Sequence, residues 1–115
     1  MEQQLQASFA TILIYGIYAD NIVSKKETNL FCTLMHNNFN LSEQDSLDLL
    51  NDTHPTQKDM EYHVDKVNGL LENKPREKMH LLEYLNHIIY ADGIKPVEYK
   101  VFEDLRRKLF PQTVN

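Results

Sequence analysis

YADNIVSKKE at residues 18–27 and YADGIKPVE at residues 90–98 are two copies of one pattern, the second shorter by one residue. In each copy an aspartate stands at the end of a helical segment, and Asn21 or Gly93 follows as a residue that tolerates left-handed backbone. A glutamate then falls in the first turn of the next helix. The repeat predicts two similar helical hairpins, one towards each end of the chain, related by an approximate twofold axis.

The segments on either side of the two copies have the periodicity of amphipathic helices. Apolar residues recur at steps of three and four, as Leu5, Phe9, Ile12, Leu13 and Ile17 do in the first segment, which puts them on one helix face. No segment alternates with period two over enough residues to predict a strand. We therefore expect an all-α fold, a compact bundle of about six helices whose neighbours pack antiparallel.

Local start and stop signals set the expected helix boundaries. Capping boxes are predicted at Ser24–Glu27 and Ser42–Asp45, Thr56 is a candidate N-cap, and Pro75 and Pro96 suit the first turn of a helix. The expected helices are 2–19, 24–38, a short one from 42 to about 51, 57–71, one from 75 to the turn at 92–93, and 96 to about 109. The expected buried stripe of the last helix is Val97, Val101, Leu105 and Leu109.

Length and composition limit the possible functions. A chain of 115 residues with 42% hydrophobic and 25% charged residues is expected to form a single domain, 1–115, with one core. A formal net charge of −5 offers no attraction for nucleic-acid phosphates. The longest apolar stretch, Phe9–Ala19, has 11 residues, whereas a membrane-spanning helix needs about 20. A single cysteine, Cys32, expected to be buried, and an N-terminus without basic residues favour a cytoplasmic protein.

The two copies of the pattern resemble the two signature turns of TerB-like domains, and the resemblance covers roughly residues 5–110. Such domains are all-helical and occur in tellurite-resistance proteins. The resemblance implies a non-enzymatic, stress-associated scaffold. It also implies that the acidic turn residues ligate a metal ion, and these are Asp20, Glu27, Asp92 and Glu98 in this chain. The chain departs from the family pattern in having Asn21 where glycine is usual and in its shorter second turn.

Two interpretations of these four carboxylates are open. If they converge they repel each other, and a hard divalent cation such as Ca²⁺ or Mg²⁺, which binds oxygen ligands, would relieve the repulsion. Neither turn is an EF-hand, because aspartate and glutamate are seven residues apart in the first copy and six in the second, against a loop of about twelve. Without a metal, each glutamate can cap its own helix and each aspartate can accept from loop amides in an Asx turn.

The remaining polar residues are expected at the surface and the remaining aromatic residues in the core, and neither group predicts a functional site. His80, Glu83 and His87 share one helix face but lack the His-Glu-x-x-His spacing, so we expect a solvated polar face. The sequence has no Gly-x-Ser-x-Gly elbow and no glycine-rich phosphate loop, so we expect no enzyme. The aromatic residues expected to fill the core are Tyr84, Tyr90, Tyr99, Phe102 and Phe110.

The alternative function is a metal-free protein–protein interaction module. In that case an apolar or tyrosine-bearing surface would dimerise or bind a protein partner. The only basic cluster, Arg106-Arg107-Lys108, is expected to offset the dipole of its helix and face water. The sequence identifies neither the partner nor the oligomeric state.

Overall fold

Six α-helices and one short 3₁₀ turn make up the described part of the chain, which in this computed structural model is residues 2–93 and 95–111. They are α1 (Glu2–Ile17), the 3₁₀ turn (Tyr18–Asp20), α2 (Lys25–Phe39), α3 (Glu43–Asp52), α4 (Gln57–Leu70), α5 (Pro75–Ile89) and α6 (Pro96–Leu109). No strand forms in these ranges, so the predicted all-α fold is confirmed. None of the described helices is both long and apolar enough to cross a membrane.

Short polar side chains begin the helices close to where the sequence predicts. The Ser24 hydroxyl accepts from the Glu27 amide at 3.0 Å, and the Glu27 carboxylate accepts from the Ser24 amide at 3.0 Å, which completes a capping box. Thr56 begins α4 with a second complete box. At Ser42 the hydroxyl accepts from the Asp45 amide at 3.0 Å, but the return bond is not made. The capping box predicted there is therefore only half formed.

The core is built around α1, which packs against α2, α4, α5 and α6. Because α1 has neighbours on several sides, its buried residues extend beyond a single stripe; they are Ser8, Phe9, Ala10, Ile12, Leu13, Ile14, Gly16 and Ile17. Gly16 allows a close approach to α5, since an added Cβ would lie 2.6 Å from Leu85 Cδ1. The α1–α2 and α5–α6 hairpins therefore contact each other directly, and their connecting turns lie at one end of that contact.

The buried face of α6 begins at Glu98 and not at Val97. Leu105 and Leu109 are fully buried and Val101 is half-buried, as predicted, but Val97 is 52% exposed. Glu98 stands seven residues before Leu105, about two helical turns, so it projects from the same face, whereas Val97 is rotated away by roughly 100°. The prediction that Val97 is buried is wrong, and a glutamate occupies the core position of the first turn.

The aromatic residues divide between core and surface. Tyr84, Phe102 and Phe110 pack against the buried cluster, as predicted. Tyr90 and Tyr99 are exposed, so the prediction that they fill the core is wrong. Tyr90 follows the last residue of α5, and Tyr99 stands next to Glu98 on α6, one position off the buried face.

Candidate functional site

The two copies of the repeated pattern form two adjoining turns. The 3₁₀ turn Tyr18–Asp20 packs against α6, and each copy contains one residue with left-handed backbone, Asn21 at φ 60° and Gly93 at φ 92°. Glycine and asparagine adopt this conformation more readily than other residues, so the prediction of a left-handed residue is confirmed in both copies. Ile94, the apolar residue of the second copy, lies outside the described residues.

Asp20 joins the first turn to the second. Its Oδ1 accepts from the Ile22 amide at 3.1 Å, the predicted Asx turn, and its Oδ2 lies 2.8 Å from Lys95 Nζ at the start of α6. The Asp20 side chain is 12% exposed and the Lys95 side chain 31%. Burial raises the pKa of Asp20, but the bond and charge of Lys95 and the Ile22 amide outweigh burial and hold that pKa below its usual range.

Glu27 and Glu98 occupy equivalent positions but are bonded differently. Both are third residues of their helices and both are 1% exposed. Glu27 is held in the capping box with Ser24. The residue that stands in place of Ser24 at the start of α6 is Lys95, which provides no side-chain cap. The capping interpretation therefore accounts for Glu27 and leaves Glu98 unexplained.

Glu98 is a buried carboxyl with an unsatisfied oxygen. Its Oε2 receives no hydrogen bond from the described residues. Burial, then a hydrogen bond with Glu27 that requires a proton, then the negative charges of Glu27 and Asp20 raise the pKa of Glu98 to about 8, against the opposing charge of Lys95. The Glu98 carboxyl is therefore largely protonated at neutral pH.

Three of the four predicted carboxylates thus form one cluster with Lys95. The bond to Asp20 raises the pKa of Lys95 most; burial opposes this rise, and the charges of all three carboxylates add to it. Asp92, the fourth predicted residue, is exposed in the second turn and makes no ion pair or side-chain hydrogen bond with the described residues. We call Asp20, Glu27, Glu98 and Lys95 the acidic cluster.

Some of the carboxylate oxygens of the acidic cluster already have partners within the protein. Asp20 Oδ2 faces Lys95 and Glu27 Oε1 faces the Ser24 amide. In residues 2–93 and 95–111, no three His, Cys, Asp or Glu side chains form a group arranged to hold a metal ion. The predicted metal role of the four carboxylates remains a prediction.

Lys95 is the member that sequence reasoning did not identify. The two copies place Ser24 and Lys95 at the same position, the residue before the helix. Lysine has no acceptor with which to cap a helix, and its charge is unfavourable near a helix N-terminus. The sequence signal that points to Lys95 is a lysine at an N-cap position next to the duplicated carboxylates.

The other candidate groups lack the geometry of a catalytic site. His80, Glu83 and His87 are exposed on α5, as predicted. Ser8 Oγ lies 2.9 Å from His63 Nδ1, but Ser8 is buried and closed to a substrate. Cys32 is half-buried where full burial is predicted, and burial together with the charge of Glu43 raises the pKa of its thiol.

A comparison with known families identifies one match. The family model described as tellurite resistance protein TerB matches residues 6–108, nearly the whole chain. No curated protein and no solved structure matches the chain.

Proposed function

Because the chain belongs to the TerB family, we propose that it binds one divalent cation of the Ca²⁺ or Mg²⁺ class at the acidic cluster between its two turns. In this proposal the protein is a non-enzymatic scaffold of the cytoplasm with a role in stress, as the family description suggests. Cation binding would fix the helical surface that the protein presents to a protein partner. The observation that carries the proposal is Glu98 Oε2, a buried carboxylate oxygen that receives no hydrogen bond from the described residues.

The burial of Glu98 needs a cause outside local helix structure. A buried carboxyl with an unsatisfied oxygen destabilises a fold, and an apolar residue there would pack without that cost. Glu27 is explained by its capping box, but Glu98 makes no such bond. A cation that accepts Glu98 as a ligand supplies the missing partner.

The chemistry of the cluster fits a hard cation. Ca²⁺ and Mg²⁺ bind oxygen and tolerate water in the remaining positions, and Glu27, Glu98 and Asp20 offer carboxylate oxygens from three separate elements. With all three carboxylates ionised and Lys95 charged, the cluster carries two net negative charges, which one divalent cation neutralises. Exposed Asp92 is not needed for this balance.

A cation bound at the acidic cluster would restrict how the helices that carry its ligands move relative to one another. Asp20 ends the 3₁₀ turn that follows α1, Glu27 lies at the start of α2 and Glu98 at the start of α6. Joining them restricts the junction between the two hairpins. The scaffold role follows from this restriction, because a rigid junction lowers the conformational entropy that a partner would otherwise have to remove on binding.

The test is an amide NMR titration of chelator-stripped protein with Ca²⁺, Mg²⁺, Mn²⁺ and Zn²⁺. We expect saturable shifts confined to residues 20–27 and 95–98, with Mn²⁺ broadening the same signals. Glu98→Gln should abolish the response because glutamine keeps the shape but cannot ionise to give a carboxylate ligand. Glu83→Gln, the same change on the exposed face of α5, is the matched control and should respond like wild type. Silence at millimolar concentrations of all four ions would contradict the proposal.

A second candidate function is the metal-free interaction module, which is favoured by exposed apolar side chains between the 3₁₀ turn and α2 and at the start of α6. Ile22 is 61% exposed, Val23 38% and Val97 52%. They adjoin the acidic cluster, since Asp20 and Lys95 bring the two turns together. An apolar surface of this kind is suited to a protein partner.

Light scattering over a wide concentration range separates self-association from a monomer. A mass that rises with concentration in chelator, and that Ile22→Ser and Val97→Ser together return to the monomer value, would support the metal-free module in its dimeric form. A concentration-independent monomer would exclude that form. Tyr62→Ser, at an exposed residue of α4 outside the turns, is the control.

A further inference from the structure

Lys95 occupies a position that local helix structure does not favour. It precedes α6 where the first copy has the capping residue Ser24, and its side chain makes no capping bond. An ammonium near a helix N-terminus also opposes the helix dipole. The contacts that Lys95 gains are instead with the acidic cluster, through its 2.8 Å ion pair with Asp20 Oδ2.

The Lys95 ammonium is a cation already present at the proposed site. Its charge acts on Asp20, Glu98 and Glu27 together, so it offsets part of the repulsion that a bound metal ion would remove. The lysine side chain is 31% exposed, whereas Glu27 and Glu98 are 1% exposed. The ammonium can therefore leave for water on its flexible stem while the two glutamates stay fixed.

We infer that Lys95 is a resident counter-cation that competes with the divalent ion for Asp20 and so sets the affinity and the occupancy of the site. This inference rests on the proposed function and adds the residue that regulates it. Binding of the divalent ion moves the Lys95 ammonium away from Asp20 Oδ2 and returns it to solvent. In the absence of the ion, Lys95 holds the two turns together through the same carboxylate.

Replacement of the ammonium by an uncharged group of similar length tests the competition. Lys95→Met keeps the stem and removes the charge, and Lys100→Met makes the same change at an exposed residue of α6 that forms no ion pair in the described part of the chain. Calorimetric titration with Ca²⁺ should show Lys95→Met binding about tenfold more tightly than wild type. Lys100→Met, which changes the net charge equally, should stay within about twofold.

The outcomes separate the two proposals. If wild type binds Ca²⁺ and Lys95→Met binds no more tightly, Lys95 is a structural residue and the inference is wrong, while the proposed function stands. If only Lys95→Met binds, the Lys95 ammonium excludes the ion from the natural protein, which contradicts both the proposed function and the displacement that the inference requires. If neither binds at millimolar Ca²⁺, both are overturned.

A second measurement uses the unaltered protein and remains valid if Lys95→Met folds poorly. The NMR signal of the Lys95 ammonium nitrogen reports its ion pair directly. We expect this signal to move towards that of the exposed Lys100 as Ca²⁺ is added, in step with the amide shifts of Glu27 and Glu98. A Lys95 signal unchanged at saturating Ca²⁺ would overturn the displacement that the inference requires.

Discussion

Glu98 and Glu27 are two buried carboxyl groups, each the third residue of its helix, and burial together with the interaction with Glu27 raises the pKa of Glu98 to about 8. Two ionised carboxylates in that position would repel each other across a medium from which water is largely excluded. The pair therefore has two means of relief, a proton at neutral pH or a cation. Competition between proton and cation makes the site sensitive to pH.

The first prediction concerns the pH dependence of stability in chelator. The folded pKa of Glu98 is about 8, above its unfolded value, so between about pH 5 and about pH 8 the folded state binds more protons than the unfolded state. The contribution of Glu98 to the free energy of unfolding should therefore fall as the pH rises through this window, with a slope of at most about 1.4 kcal/mol per pH unit.

Urea denaturation of wild type, Glu98→Gln and Glu83→Gln between about pH 5 and about pH 9 measures this effect. Glu98→Gln cannot ionise, so it should lose the downward slope and exceed wild type in stability at the alkaline end. Glu83→Gln, at an exposed position, should follow wild type. Parallel curves for wild type and Glu98→Gln would mean that Glu98 does not hold a proton in the folded protein.

The second prediction concerns acid sensitivity at His63. Burial lowers the pKa of His63, with a further contribution from the charge of Lys66 and an opposing one from Asp59, and the ring is 2.9 Å from Ser8 Oγ. Because the folded pKa lies below the unfolded value, the unfolded state binds more protons as the pH falls through about 6.5. The contribution of His63 to stability should decline below that pH. His63→Gln should reduce the decline, whereas exposed His87→Gln should not, as judged from thermal unfolding between about pH 4.5 and about pH 7.

The third prediction concerns the α1–α5 contact. Gly16→Ala places a methyl group 2.6 Å from Leu85 Cδ1, and Leu85 is fully buried, so its side chain has little room to move. We expect a net loss of up to about 2 kcal/mol, because the cost of overpacking, about 1–3 kcal/mol, exceeds the gain of about 1 kcal/mol in helix propensity. Gly69→Ala, on α4 with nothing within 4 Å of an added Cβ, should be neutral or stabilising. Equal urea midpoints for the two variants would show that α1 and α5 are not so closely packed.

The features that the sequence predicts well are those that short-range chemistry determines. Ser24, Thr56, Pro75 and Pro96 begin helices because their side chains act within one turn. Asn21 has left-handed backbone for an equally local reason, the low cost of positive φ at asparagine. The family resemblance inferred from the two turns is confirmed by the match over residues 6–108.

The features that the sequence does not predict depend on contacts between distant residues. Hydrophobicity assigns Val97 to the core, but packing of α6 against the 3₁₀ turn and α1 puts Glu98 there. The role of Lys95 depends on its distance to Asp20, which is far away in the sequence. The same long-range geometry leaves Asp92 at the surface although its copy of the pattern matches that of Asp20.

The last prediction compares the two aspartates of the repeat. In chelator, Asp20→Asn removes the charge that pairs with Lys95 and should cost about 0.5–1 kcal/mol, since the pair is partly exposed, whereas Asp92→Asn should cost nothing measurable. With Ca²⁺ at about a hundred times its Kd, wild type should gain about 2.7 kcal/mol of stability. Asp92→Asn should keep this gain, and Asp20→Asn should lose most of it.

Thermal unfolding of the three proteins with chelator and with Ca²⁺ measures the cost of each substitution and the stability that each protein gains from Ca²⁺. A loss of the Ca²⁺ gain in both variants would mean that exposed Asp92 moves to join Asp20, Glu27 and Glu98 when the ion binds, as the family resemblance implies. A gain retained in both variants would place the ion away from the two aspartates. Only the unequal result, with Asp20 required and Asp92 dispensable, supports a cation held by the buried glutamates and the one aspartate that now pairs with Lys95.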